Sequence, residues 1–437
     1  MDESELPVVV IGAGPAGLAA AAHLLDRGLV PLVLEAGPSA GTSVRGWRHV
    51  RLFSRWGELI DAQAEKLLAP TGWLAPDPDR YPTGADWVQL YLQPLADVLR
   101  DRVRNGTRVV GVARRGRDLV VDEGRDRVPL VVHVATSTGE ELITARAVVD
   151  ASGTWTLPNP LGCDGLPALG ERDATDRIMY RVPDLTDPAV RSRYAGKRIG
   201  VAGSGHSALT ALVVFAELAD AVPGTHVDWL LRRGRVGDTF GGGQADQLPA
   251  RGALGEQARR AVAAGHISTI TGFRTAAVIR QASGQVVLES VDGQRLAPVD
   301  EVVVLTGFRP DLSFLSEVRL DLDAVLQAPR ALAPMIDPNV HSCGTVYPHG
   351  ARELAQPEPG VFLVGMKSYG RAPTFLALTG YEQIRSVAAA IAGDWQAAER
   401  VELVLPETGV CSGGGLVDES VTVPAGGGCC GPTEPLP

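Results

Sequence analysis

Val8-Val9-Val10-Ile11 runs directly into Gly12-Ala13-Gly14-Pro15-Ala16-Gly17, and this junction limits the possible folds more than any other stretch of the chain. The four apolar residues read as a strand buried on both faces, as in a parallel sheet. Small and apolar residues follow at helical density from Ala16 to Arg27, and Pro31–Glu35 gives a second strand. The result is a strand–turn–helix–strand unit. In such a unit Gly12 serves the tight turn, Gly14 lets backbone approach a pyrophosphate, and Gly17 lets helix and strand pack closely. Pro15 and Ala16 open a helix whose N-terminus stabilises phosphate charge. Glu35 ends the second strand 18 residues after Gly17, where a carboxylate accepts from ribose hydroxyls. A purely structural glycine turn is the alternative; the strand, helix and terminal acid together favour a dinucleotide.

The pattern recurs at Arg198–Ala202, Ser207–Ala221 and Val227–Leu231, with Gly203-Ser204-Gly205-His206-Ser207-Ala208 as its glycine turn. Arg232 and Arg233 stand where the first unit has Glu35. Arginines there form charge-assisted bonds with a 2′-phosphate, which suggests NADPH over NADH. The alternative is a pair of solvated arginines in an arginine-rich chain. His206 fits a nucleotide contact better than a catalytic base. One site with a carboxylate and one with arginines implies two nucleotides: FAD at the first and NADP at the second. Two further strand signals end in glycine, Ala147–Gly153 and Glu301–Gly307.

Composition fits this picture. A chain of 437 residues with 45% hydrophobic and 21% charged residues has material for two or three domains. A net charge of −10 argues against nonspecific nucleic-acid or anionic-membrane binding. The acid-rich Met1–Pro7 is the reverse of a signal-peptide start, so a cytoplasmic location is expected. Val8–Leu25 lacks Asp, Glu, Lys and Arg, yet its glycines and proline are better explained by the turn than by a membrane span. Gly84–Arg102 reads as an amphipathic helix with apolar Trp87, Val88, Leu90, Leu92, Leu95, Val98 and Leu99. Residues 107–149 alternate as antiparallel strands do, and Thr374–Ile391 reads as another amphipathic helix. Residues 401–437 hold eight Gly, five Pro, five acids and no Lys or Arg, and are expected to be a flexible tail without a core.

The order GAGPAG, Asp150–Gly153, GSGHSA and Leu305-Thr306-Gly307-Phe308-Arg309-Pro310 resembles the two-dinucleotide-binding-domain flavoproteins, over roughly residues 6–395. Within them it is most similar to the flavin-containing monooxygenase branch. Trp47–Ser54, Phe240–Gly243, Gly365–Phe375 and the Cys-Cys tail also resemble flavoproteins of bacterial arsenic-resistance operons. The resemblance implies an α/β fold of two Rossmann-like, three-layer ββα domains. The FAD domain would comprise residues 1–160 and 306–400, with the NADP domain, 161–305, inserted into it and the 401–437 tail following. It also implies that Arg45, Trp47, Ser54, Gly153 and Gly307 lie around the cofactors. The N-terminus of the Thr374–Ile391 helix would stabilise negative charge on the reduced flavin, although a plain packing helix fits equally.

The departures bear on the chemistry. The branch places a motif of the form FxGxxxHxxx(Y/F) upstream of the second glycine turn, and Asp176–Val182 contains no histidine. Where the family often has Gly-Asp against the ribityl chain, Gly365 is followed by Met366, so the contact is expected from Lys367 or Ser368. Three readings follow. The first is an NADPH- and FAD-dependent monooxygenase acting on sulfur, nitrogen or trivalent arsenic. The second is an NADPH-driven thiol, disulfide or metal(loid) reductase using Cys429-Cys430. The third is a non-catalytic redox or metalloid-binding flavoprotein.

Five cysteines are too few for a disulfide framework, and no CxxC occurs. Cys163 and Cys343 are expected to be buried thiols. Cys411, Cys429 and Cys430 offer three soft ligands suited to trivalent arsenic, with an incidental tail as the alternative. His341 with Cys343, or His349, could shuttle a proton or hold a metal. Leu405–Gly409 matches a sortase signal by chance. A small-molecule substrate is expected, a homodimer is compatible, and the physiological substrate is open.

Overall fold

The computed structural model describes residues 5–241, 243, 248–339, 348–373 and 375–403. Two parallel five-stranded sheets organise it. In the first, β1 (Val8–Ile11) lies between β2 (Pro31–Leu34) and β7 (Ala147–Asp150), with Val10 opposite Val33 and Val149. The outer strands are β3 (Val103–Arg104) beside β2 and β15 (Val361–Leu363) beside β7. The sheet therefore draws strands from both ends of the chain.

Side chains alternate across β1 and divide its core in two. Val8 and Val10 pack with Leu18, Ala21 and Leu24 of the Pro15–Asp26 helix and with Ile384 and Val387 of the Ala377–Ile391 helix. Val9 and Ile11 face an antiparallel sheet of β4 (Arg108–Arg114), β5 (Leu130–Thr136) and β6 (Gly139–Ala145), meeting Val112, Val132 and Val134. This is the three-layer ββα arrangement, and the alternation of residues 107–149 is its middle sheet.

The second sheet repeats the logic. Its order is β11 (Ile267–Ile270), β10 (His226–Leu230), β9 (Arg198–Ala202), β14 (Glu301–Val304) and β8 (Ile178–Met179). Ile199, Val201 and Trp229 bury against Leu209, Leu212 and Phe215 of the His206–Ala221 helix. Val302 and Val304 bury against the hairpin of β12 (Thr275–Arg280) and β13 (Val286–Ser290). Two extended segments join the units: Asn159 N–H donates to Gly307 O at 2.9 Å and Arg309 N–H to Leu157 O at 2.8 Å.

The long helix expected over Gly84–Arg102 is interrupted. Pro94 has no N–H and its ring would clash with the Leu90 carbonyl in a regular helix. The chain adopts a π turn over Val88–Leu92 between α-helical Gly84–Trp87 and Gln93–Leu99. Trp73 Nε1 donates to the Leu90 oxygen at 2.7 Å, which supplies the partner Pro94 cannot. The helix expected from Thr374 starts at Ala377, and Thr374 lies outside the described residues.

A buried charge cluster ties the middle sheet to the approach of β15. Glu358 accepts from Arg114 Nε at 2.7 Å and from Arg125 Nη2 at 2.7 Å, with all three side chains buried. Burial pushes the Glu358 carboxyl up, but the two guanidinium groups override it and hold it below its usual range. Its contribution to stability is thus present above the unfolded carboxylate pKa and lost as pH falls through the lower folded value. Glu358→Gln leaves two buried guanidinium groups facing a neutral amide and is expected to cost about 3–5 kcal/mol, read as a lowered urea midpoint.

Candidate dinucleotide sites

The first glycine turn sits at the carboxyl ends of β1, β7 and β15, where ligands bind in open α/β sheets. Gly12 has φ +97°, and a Cβ there would lie 3.0 Å from Ala151 O and Ser152 Cα. A Cβ on Gly17 would lie 1.8 Å from the Gly12 oxygen, so only glycine lets the helix start this close to the strand. Around Gly14 the position of a Cβ is open for 4 Å. Gly14 is also the N-cap of the Pro15–Asp26 helix and provides no side-chain cap. Unpaired N–H groups behind an open cradle fit a pyrophosphate. Glu35 stands beside it, accepting from Ala13 N at 2.9 Å and Gly37 N at 2.8 Å. Each carboxylate oxygen keeps capacity for a ribose hydroxyl.

The segment after β15 closes this turn. Gly365, with φ +64°, packs so tightly that a Cβ would come 2.9 Å from the Ala16 Cβ. Its N–H donates to Gln383 Oε1 at 2.8 Å, which fixes the amide orientation. Gln383 Nε2 then lies 2.9 Å from Ser368 Oγ and 2.7 Å from His349 Nε2, so His349 accepts. His349 is thereby a buried group positioned by Gln383.

Lys367 is held by an ion pair and two hydrogen bonds. Its Nζ lies 3.0 Å from Asp150 Oδ2, donates to Ser152 Oγ at 2.9 Å and to Asp311 O at 2.5 Å, and sits 4.8 Å from the Phe314 ring centre. The side chain is fully buried, and its Nζ is shared among these three partners. No sequence pattern signalled the pair, because its members meet only when β7 and β15 become neighbours. Met366 is half-buried beside it, and Gly153 follows Ser152 with φ +68°.

The remaining first-unit candidates divide. The loop bearing Arg45 and Trp47 is tied to the glycine turn, since Gly41 N–H donates to Ala13 O at 2.9 Å. Arg45 turns outward to Gln93 Oε1 at 2.8 Å. Trp47 packs on Trp87 at 6.3 Å between ring centres, and Ser54 is half-buried.

In the second turn Gly203 has φ +133°, and a Cβ there would lie 2.3 Å from Leu305 O. Trp229 Nε1 donates to the Gly203 oxygen at 2.8 Å and braces the turn from β10. Gly205, the uncapped N-cap of the His206–Ala221 helix, again has open space where a Cβ would be. Ser204, His206 and Ser207 are exposed around it, and Arg232 and Arg233 follow β10 at the same sheet end. A Cβ on Gly307 would meet Asn159 Nδ2 at 3.2 Å. Phe53 from the first unit packs edge-on against His206 at 5.1 Å, bringing the two nucleotide regions together.

Cys163 is half-buried, not a core thiol, and Sγ donates to Asp164 Oδ1 at 3.4 Å. Burial and Asp164 both push this thiol above its usual pKa. Cys343, Cys411, Cys429, Cys430 and His341 lie outside the described residues. Among the described residues no group of three or more His, Cys, Asp or Glu could hold a metal ion, and no helix is long and apolar enough to cross a membrane.

Gly17→Ala forces a methyl group against the Gly12 carbonyl. Overpacking of about 1–3 kcal/mol is expected, with loss of bound flavin, read as visible flavin absorbance per protein.

Comparison with known proteins agrees with this geometry. The chain is 29% identical to the indole-3-pyruvate monooxygenase YUCCA1 of Oryza sativa subsp. japonica over 203 residues, 46% of this chain and 43% of that protein. It is 28% identical to ferredoxin–NADP reductase 1 of Cupriavidus necator over 194 residues, 44% of this chain and 46% of that protein. The chain thus spans under half the length of these curated relatives. Among solved structures it resembles the bacillithiol disulfide reductase Bdr (YpdA) of Bacillus cereus, with TM-score 0.63 and 20% identity over 89% of this chain and 99% of that one. It also resembles FAD-bound DfoA, the cadaverine monooxygenase of Erwinia amylovora, with TM-score 0.62 and 16% identity over 92% and 98%. At these identities the likeness concerns the fold. A match to the pyridine nucleotide-disulphide oxidoreductase family covers residues 9–341 and takes in both glycine turns. This chain therefore belongs to the pyridine nucleotide-disulphide oxidoreductase family.

Proposed function

We propose that this chain is an NADPH-driven, FAD-dependent monooxygenase acting on a soft nucleophile: sulfur, nitrogen or trivalent arsenic. The observation that carries this reading is the pair of open glycine turns at Gly14 and Gly205, brought together where Phe53 packs against His206 at 5.1 Å, an arrangement suited to hydride transfer between two nucleotides. Cys163 is the one cysteine among the described residues, and its environment favours the protonated thiol. When bound, FAD supplies the hydride acceptance and oxygen reactivity that side chains lack. The two glycine turns would hold the nucleotides, and oxygen transfer would require their reactive ends to be kept from water. Trivalent arsenic is the favoured substrate on the resemblance of Trp47–Ser54 and Gly365–Phe375 to arsenic-operon flavoproteins, with Cys411, Cys429 and Cys430 as its thiolate ligands.

A second reading, an NADPH-dependent disulfide or metal(loid) reductase using Cys429 and Cys430, is favoured by that vicinal pair and by the name of the family. The two differ in their need for oxygen. A monooxygenase converts substrate, O2, NADPH and a proton to oxygenated product, water and NADP+. Anaerobic flavin reduction by NADPH, followed by labelled oxygen and substrate, is expected to place one label in the product per NADPH consumed. Turnover of a disulfide without oxygen that Cys430→Ser abolishes would establish the reductase instead.

The nucleotide preference has its own test. Arg233→Ala together with Arg232→Ala removes the charge-assisted contacts to a 2′-phosphate. KM for NADPH is expected to rise about 10–100-fold, with KM for NADH unchanged.

A further inference from the structure

We propose that Arg309 and Arg371 form a binding site for a phosphate-type dianion over Gly165, built from residues that neither glycine turn contributes. The two guanidinium groups converge on one point. The position of a Cβ on Gly165 lies 3.3 Å from Arg309 Nη2 and 3.9 Å from Arg371 Nη2. Gly165 has φ +78°, so its turn favours glycine, and the missing side chain leaves the space between the two cations open.

Arg309 is anchored for this role. Its Nε donates to Asn159 Oδ1 at 2.6 Å and its Nη2 to Gly165 O at 2.5 Å, where the two chain segments joining the units run side by side. Those bonds use part of its guanidinium fork and leave the rest unspent. Arg371 is held by its backbone, with its N–H donating to Leu326 O at 2.7 Å. Among the described residues its exposed guanidinium has no hydrogen bond and no ion pair.

Two like charges with no described carboxylate between them repel one another. Burial first, and the Arg371 charge second, lower the pKa of Arg309. A bound anion reverses that repulsion, and a dianion matches both charges. A tetrahedral oxyanion can offer separate oxygens to two planar forks, the geometry in which arginine exceeds lysine. In a chain of net charge −10, such a concentration of positive charge is a local feature and not a property of the whole surface.

Inorganic phosphate is the probe, added to the flavin-loaded protein without nicotinamide nucleotide, with sodium chloride holding ionic strength constant. The thermal midpoint is expected to rise with phosphate and saturate, as a ligand selective for the folded state requires. Arg371→Gln, at an exposed side chain, is expected to bind phosphate at least about tenfold more weakly while keeping its flavin. Arg371→Lys, which keeps the charge and loses the fork, should fall between. No saturable rise, or an equal rise in wild type and Arg371→Gln, would overturn the site. KM for NADPH and NADH in Arg371→Gln separates the two sources of phosphate. Unchanged values support an independent anion site, whereas a rise for NADPH alone would make the group a contact to the nucleotide's own phosphate.

Discussion

The approach of the Gly12 carbonyl to Gly17, where a Cβ would lie only 1.8 Å away, is the contact on which the first unit depends. It brings the helix N-terminus to the end of β1 and sets the distance at which Leu18, Ala21 and Leu24 meet the sheet. Glu35 reinforces the turn from β2, and Gly365 closes on Ala16 from β15. Three strands thus meet at one point, through the Gly12 carbonyl, the Glu35 carboxylate and the close approach of Gly365 to Ala16. The open cradle at Gly14 is a consequence: atoms crowd one side of the turn and leave its N–H face free.

The second unit reaches the same end by another contact. Its third position is Ala208, fully buried, so close helix–strand approach is compatible with a methyl group there. The crowding falls at Gly203 instead, against the Leu305 carbonyl. In both units the close approach fixes a helix N-terminus at a sheet end, and the neighbouring strand decides which chemistry stands beside it. That chemistry is a carboxylate after β2 and a pair of arginines after β10.

Much of this was legible in the chain. The apolar runs of β1, β7, β9 and β14 and the alternation of β4 to β6 are local signals, and the structure contains each element. The glycines gave the turns because their backbone demands are local too. The break at Pro94 was equally written in the sequence but was masked by the apolar stripe of Trp87, Val88, Leu92, Leu95 and Leu99, which remains buried through the π turn. The partners of Lys367 were not legible for a different reason. Adjacency to Gly365 suggested a cofactor contact, whereas its partners Asp150, Ser152 and Asp311 come from other parts of the chain. A buried ammonium takes whatever anion and carbonyls surround it, and the fold selects those neighbours.

The sequence by itself determined two glycine turns, the strands and helices that carry them, and the carboxylate and arginines that distinguish them. Those properties follow from periodicity, glycine stereochemistry and residue type within about 30 residues. Only the tertiary structure decided that Lys367 pairs with Asp150, that Glu358 joins Arg114 and Arg125, that Gln383 orients His349, and that Arg309 and Arg371 converge over Gly165. Each of those arrangements joins segments far apart in the chain. Burial and charge act through space, and distance along the chain carries no record of which groups will share it.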